Sequence, residues 1–79
     1  MTEEKLLKCV GKNIKMYRIQ RGILQQDLAA MCNMEIPNMS RIENGRTNPT
    51  LRTLYRISQA LGVPVRDLLV SSEEGKGKE

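Results

Sequence analysis

Apolar residues return along this chain at the spacing of an α-helix rather than a strand. Leu6, Val10, Ile14 and Tyr17 follow one another at four- and three-residue intervals, which predicts one helix with a single buried stripe. Thr2 stands where an N-cap belongs, and Glu3 and Glu4 put negative charge at the positive end of the helix dipole. Gly22 closes the helix, with Arg18 and Arg21 in its last turn and Lys8, Lys12 and Lys15 gathered on a separate side. A second helix runs from about Leu24 to Cys32, turning Leu28, Ala29 and either Cys32 or Met31 inward, and Asn33 follows as a left-handed turn residue. The third helix, Ile36 to Glu43, carries Pro37 in its first turn, where a missing N–H costs nothing. Its inward residues are Met39 and Ile42, while Asn38, Ser40 and Arg41 point away. Asn44-Gly45 stops it and "GRTNPT" is a loop. Thr50 caps a fourth helix, Leu51 to Leu61, whose apolar face is Leu51, Leu54, Ile57 and Leu61, with Gly62 ending it. Pro64 opens a short fifth helix through Leu69. Residues 71–79, "SSEEGKGKE", contain nothing apolar and read as a disordered polar tail behind a folded domain of residues 1–70.

Five short helices with short links predict a compact all-α domain, and composition agrees. Aromatic residues make up 3% of the chain, with no Phe or Trp, so the core must be aliphatic, which suits packed helices better than a β-sandwich. Seventy-nine residues form one domain. At that size only about 60% of the unfolded surface is buried, so association helps stability. Charge narrows the partner. Residues 1–70 hold eleven basic and six acidic side chains, a net of +5, while residues 71–79 hold two and three. A basic folded part points to a polyanion, nucleic acid ahead of an anionic membrane surface.

Other chemistries are excluded. The chain has no His, and its two cysteines, Cys9 and Cys32, stand far apart on apolar helical positions, where they read as small buried hydrophobes. Neither a zinc site nor a His-dependent triad can be assembled, and the carboxylates are scattered. No enzyme activity, cofactor, metal or small-molecule ligand is expected. No apolar run approaches the ~20 residues a membrane helix needs, and "MTEEKLLK" has no signal-peptide character. A cytoplasmic protein is expected, without membrane association.

A helix, a tight turn and a second helix of about eight residues form the helix-turn-helix arrangement, in which the first helix braces the second and the second meets base edges. Small Ala29 permits their close crossing. The run from Gly11 to Leu69 carries "YRIQRGILQQDLA", "MSRIENGRTNPTLRTL" and "ISQALGVPVRDLL" in order. It resembles the Cro/C1-type helix-turn-helix family of phage repressors, restriction-modification controller proteins and bacterial regulators. The resemblance implies a five-helix, lambda-repressor-like DNA-binding domain with its motif in helices two and three.

It also implies roles. Gln25 takes the family's phosphate-contacting glutamine position at the start of the second helix. Gln26 beside it contacts phosphate or braces recognition-helix side chains. Ile36, Pro37 and Arg41 match base-reading positions, with Asn38 and Ser40 beside them reaching bases or backbone. Asn44, Arg46 and Thr47 correspond to a phosphate-gripping loop. Arg18 and Glu43 correspond to an ion pair tying the first helix to the third. Two departures stand out: Leu24 replaces the usual Ser or Thr cap, and Glu35 caps the recognition helix poorly. Chemically, Ile36 suits a thymine methyl and Arg41 a bidentate contact to guanine O6/N7. Lys12 and Lys15 are weaker phosphate candidates, their side reading first as a solvated face.

Val63, Val65, Leu68, Leu69 and Val70 exceed what one short final helix needs. Bacterial members of the class usually bind two-fold sites as dimers, so a homodimer through helices four and five is expected, with Val65, Leu68, Leu69 and Val70 at its interface. Such a module regulates by occupancy, as a repressor or by touching RNA polymerase. The competing class is a protein-interaction module, such as the toxin-holding part of an antitoxin, which steeply salt-dependent binding to random duplex would exclude.

Overall fold

The computed structural model describes residues 1–71, which fold into α1 (Glu3–Gln20), α2 (Gln25–Met31), α3 (Ile36–Glu43), α4 (Leu51–Leu61) and α5 (Val65–Leu69). The chain is all-helical among the described residues, with no strand. The tail expectation concerns residues 71–79, of which 72–79 lie outside the described residues.

Local chemistry sets the helix ends. Thr2 Oγ1 accepts from the Lys5 N–H at 3.1 Å and Thr50 Oγ1 from the Thr53 N–H at 3.1 Å, each satisfying an orphan donor of a first turn. Leu24 and Glu35 occupy the N-cap positions of α2 and α3 without a side-chain bond. Four helices end in one device, a residue of positive φ followed by a backbone N–H that reaches back to a carbonyl in the last turn. Ile23 N–H bonds Arg18 O, Met34 bonds Ala29 O, Arg46 bonds Arg41 O and Val63 bonds Ser58 O, at 2.8–3.0 Å. Asn33 supplies the left-handed turn between α2 and α3 with φ 54°, a conformation Asn tolerates better than most side chains.

The core is one aliphatic cluster: Val10 and Ile14 of α1, Leu28 and Ala29 of α2 with Cys32 just after it, Met39 and Ile42 of α3, Leu54, Ile57 and Leu61 of α4, and Leu68 of α5. Of the pair left open by periodicity, Cys32 is the inward residue and Met31 is exposed. Burial pushes the Cys32 thiol above the usual thiol range, with the Arg56 guanidinium pulling the other way, so the buried sulfur is a neutral thiol. Cys9 and Cys32 are both free thiols. No helix among the described residues is long and apolar enough to cross a membrane, and no group of potential metal ligands occurs among them.

Two apolar positions depart from the helical pattern. Leu51 is 74% exposed because it opens α4 ahead of the turns that meet the core. Leu6 sits at the open end of α1, whose buried residues begin at Val10. Leu68 corrects an expectation that bears on function. It is completely buried against the core, so it cannot lie at a dimer interface of the folded chain.

Two polar or small residues of α1 set the packing. Gly11 approaches the last turn of α3 so closely that a Cβ there would stand 2.4 Å from Ile42 O and 2.5 Å from Glu43 O. Asn13, buried, donates through Nδ2 to Leu68 O at 2.9 Å and Val70 O at 2.8 Å. These bonds satisfy carbonyls at the end of α5 that have no intrahelical partner, and they fix where the chain leaves the fold.

Candidate nucleic-acid interface

The outer face of α3 is presented by the way its inner face is anchored. Met39 and Ile42 bury toward the core and leave Ile36, Pro37, Asn38 and Arg41 exposed, with Ser40 half-buried. At the C-terminal end the anchor is ionic. Arg18 Nε donates to Glu43 Oε2 at 2.7 Å and Nη2 to Oε1 at 3.1 Å, a two-pronged contact between side chains that are 11% and 2% exposed. Arg18 Nη1 also donates to Ile23 O at 2.9 Å, and Gln25 Nε2 donates to Glu43 Oε1 at 3.2 Å. The Arg18–Glu43 pair therefore ties α1, the α1–α2 turn, the start of α2 and the end of α3 into one frame.

This geometry refines the reading of Gln25. Gln25 is half-buried and one amide N–H is spent on Glu43, leaving a second N–H and the carbonyl oxygen for other partners. Gln26, next along the chain, is exposed. Asn44 likewise acts locally, its Nδ2 donating to Ser40 O at 2.9 Å and so closing the end of α3. Arg46 is exposed and Thr47 half-buried in the loop that follows.

Lys8, Lys12 and Lys15 share one side of α1, as residues three and four apart on a helix do. Lys8 lies against Gly45 at the end of α3, and Lys15, two turns on, projects from that same side. Lys12 lines a cavity with Lys5, Lys8 and Asn13. Tyr17 is half-buried with the Arg21 guanidinium 5.2 Å from its ring centroid, a cation–π contact at the end of α1.

A cleft of about 500 Å³ lies beside the outer face of α3, lined by Pro37, Asn38 and Arg41 of α3, by Thr53 and Arg56 of α4, and by residues 32–35, Glu35 among them. Sequence periodicity gave Arg56 no role. Its only signal was an exposed basic position on a helix whose opposite face is apolar, and that is the normal state of a solvated helix. Gly11 was more legible in principle, because a glycine inside a strong helical pattern often marks close backbone approach.

Comparison with known proteins agrees with this arrangement. Residues 14–68 match the family described as Helix-turn-helix, HTH_3. The uncharacterized HTH-type transcriptional regulator y4dJ of Sinorhizobium fredii is 37% identical over 67 residues, covering 85% of this chain and 87% of that protein. The crystal structure of the hypothetical transcription factor NHTF from Neisseria superposes with a TM-score of 0.85 at 26% identity, over 100% of this chain and 92% of that one. The restriction-modification controller protein C.Esp1396I is 33% identical with a TM-score of 0.76, over 85% of this chain and 90% of its own. The chain belongs to the HTH_3, Cro/C1-type helix-turn-helix family of transcriptional regulators, which are DNA-binding proteins rather than enzymes.

Proposed function

We propose that this protein is a sequence-specific regulator that binds a two-fold operator as a homodimer, with α3 in the major groove, and acts by occupancy in the manner of a repressor. The observation that carries the reading is the contrast between the two sides of α3. Its inner side is fixed by Met39, Ile42 and the Arg18–Glu43 pair, while Ile36, Pro37 and Arg41 stand free. A rigid helix with an exposed, chemically mixed face is what base recognition requires, since misplaced donors lose bidentate contacts.

On this reading Ile36 packs on a thymine methyl and Arg41 donates to guanine O6 and N7, with Asn38 and Ser40 beside them. Gln25, Gln26, Asn44, Arg46 and Thr47 flank that face and take backbone phosphates, and Lys15 extends the same positive side. Lys12, exposed on that side, has only its charge in support. Arg41→Ala is expected to relax preference at one position per half-site, worth about 1–3 kcal/mol of discrimination. Selecting bound duplexes from a random pool with the wild type and with Arg41→Ala reads this directly. A random, non-palindromic wild-type pool overturns specific binding, and an unchanged Arg41→Ala pool overturns the Arg41 assignment.

The dimer rests on the apolar residues that remain accessible near the chain's exit. Leu69 is 40% and Val70 53% exposed, and Val65 is half-buried. Exposed apolar side chains at the end of a short helix favour pairing with a second copy across a two-fold axis. Sedimentation at micromolar concentration is expected to give a dimer for the wild type and a monomer for Leu69→Glu. A monomeric wild type, both free and in its DNA complex, would remove this part of the proposal.

A further inference from the structure

The cleft between α3 and α4 has features that base reading by α3 leaves unused. Two guanidinium groups line it, Arg41 from α3 and Arg56 from α4, together with the Thr53 hydroxyl and the Asn38 amide. Arg41 and Arg56 are both exposed, and among the described residues neither has an ion-pair partner. Glu35 is the acidic residue at the cleft, so its lining carries two positive charges against one negative. The backbone that carries Arg56 is anchored nearby, since Leu54 and Ile57 on either side of it are core residues. A volume of about 500 Å³ admits a phosphodiester group together with hydrating water.

We infer that Arg56 and Thr53 form a backbone-phosphate cradle on the α4 side of the recognition helix, taking a phosphate of the DNA strand that passes Asn38. This rests on the proposed docking of α3 and adds a residue to it. Arg41 borders both surfaces, turning its guanidinium to the base edge while Arg56 neutralises the strand beside it. A guanidinium and a hydroxyl are the donor types that fix a phosphate without reading sequence. The cradle therefore contributes register and affinity but no base preference. Glu35 opposes it, standing at the N-cap of α3 without a side-chain bond to that helix.

The test measures binding of the full chain to its selected duplex and to a scrambled duplex across a salt series. Each phosphate neutralised contributes about 0.9 to the slope of log K against log salt. Arg56→Gln is therefore expected to make the slope shallower by about 0.9 per bound chain and to weaken binding about fivefold per chain near 0.15 M salt, equally on both duplexes. Arg56→Lys, which keeps the charge, restores the slope, and Glu35→Gln strengthens binding. A neutral methylphosphonate placed in turn along the backbone weakens the wild type at one phosphate where it leaves Arg56→Gln unaffected. Wild-type slope and affinity in Arg56→Gln overturn the cradle while leaving the docking of α3 intact. A loss confined to the matched duplex also overturns it, because Arg56 then reads a base. If the wild type binds neither duplex in a salt-dependent way, the DNA reading itself fails and the cradle with it.

Discussion

Replacing Glu43 with Ala is expected to lower the free energy of unfolding by about 3–5 kcal/mol, the range seen when one partner of a buried ion pair is removed. The reason lies in what the substitution leaves behind. Arg18 keeps its guanidinium in a site where its side chain is 11% exposed, held there by the bond to Ile23 O. The charge can neither reach water freely nor find another carboxylate among the described residues. Gln25 loses its acceptor in the same step. Small domains have total stabilities of about 5–15 kcal/mol, so this loss leaves little margin. Urea unfolding followed by circular dichroism measures it. Replacing both partners, Arg18→Met with Glu43→Leu, is expected to recover most of the loss, because no charge is then stranded. Equal destabilisation in the single and double variants would mean that burial of the charge is not what makes the single change costly.

Local structure in this chain is read readily from neighbouring residues. The Thr2 and Thr50 caps follow from side chains acting on backbone three residues away, and the bounds of α3 and the positive φ of Asn33 from the local preferences of Pro37, Gly45 and Asn33. The Arg18–Glu43 pair spans 25 positions. Spacing could not pair these two residues, and only likeness to a family suggested the contact. Leu51, Leu54, Ile57 and Leu61 share one periodic stripe, yet Leu51 is exposed and the others are buried. Periodicity names a face of a helix without saying how far along it the neighbours extend. Leu68 and Leu69 show the same limit. Adjacent and chemically alike, one fills the core and the other stands 40% exposed, a difference set by how α5 lies on α1. Asn13, whose partners lie 55 and 57 positions away, is likewise a product of that packing. Arg56 became visible only when α4 was placed beside α3.

Gly11→Ala offers a test of how α3 is held in which no charge changes. In an exposed helix interior, Gly to Ala stabilises by about 1 kcal/mol. Here the added methyl would stand 2.4 Å from Ile42 O, 2.5 Å from Glu43 O and 2.8 Å from the Glu43 carbonyl carbon. All three are backbone atoms of the last turn of α3, so no rotamer change can clear them. Ile42 O is already committed to the Gly45 N–H at 3.1 Å, which closes that helix. The helices must therefore separate, and separation stretches the Arg18–Glu43 contact from its present 2.7 Å. Overpacking of this kind costs about 1–3 kcal/mol, and the weakened ion pair adds to it, so a net loss of about 3 kcal/mol is expected despite the better helix propensity. Gly22→Ala provides the contrast. Its Cβ would meet nothing within 4 Å, and the strain of its φ of 67° stays in one turn, at about 1–2 kcal/mol. The two variants should also part in binding. Gly11→Ala shifts α3 against α1 and so lowers affinity for a selected duplex at temperatures where the protein is still folded, whereas Gly22→Ala, once folded, binds as the wild type does. If Gly11→Ala proves as stable as the wild type in urea and binds equally well, the close approach of α1 does not set the position of the recognition helix.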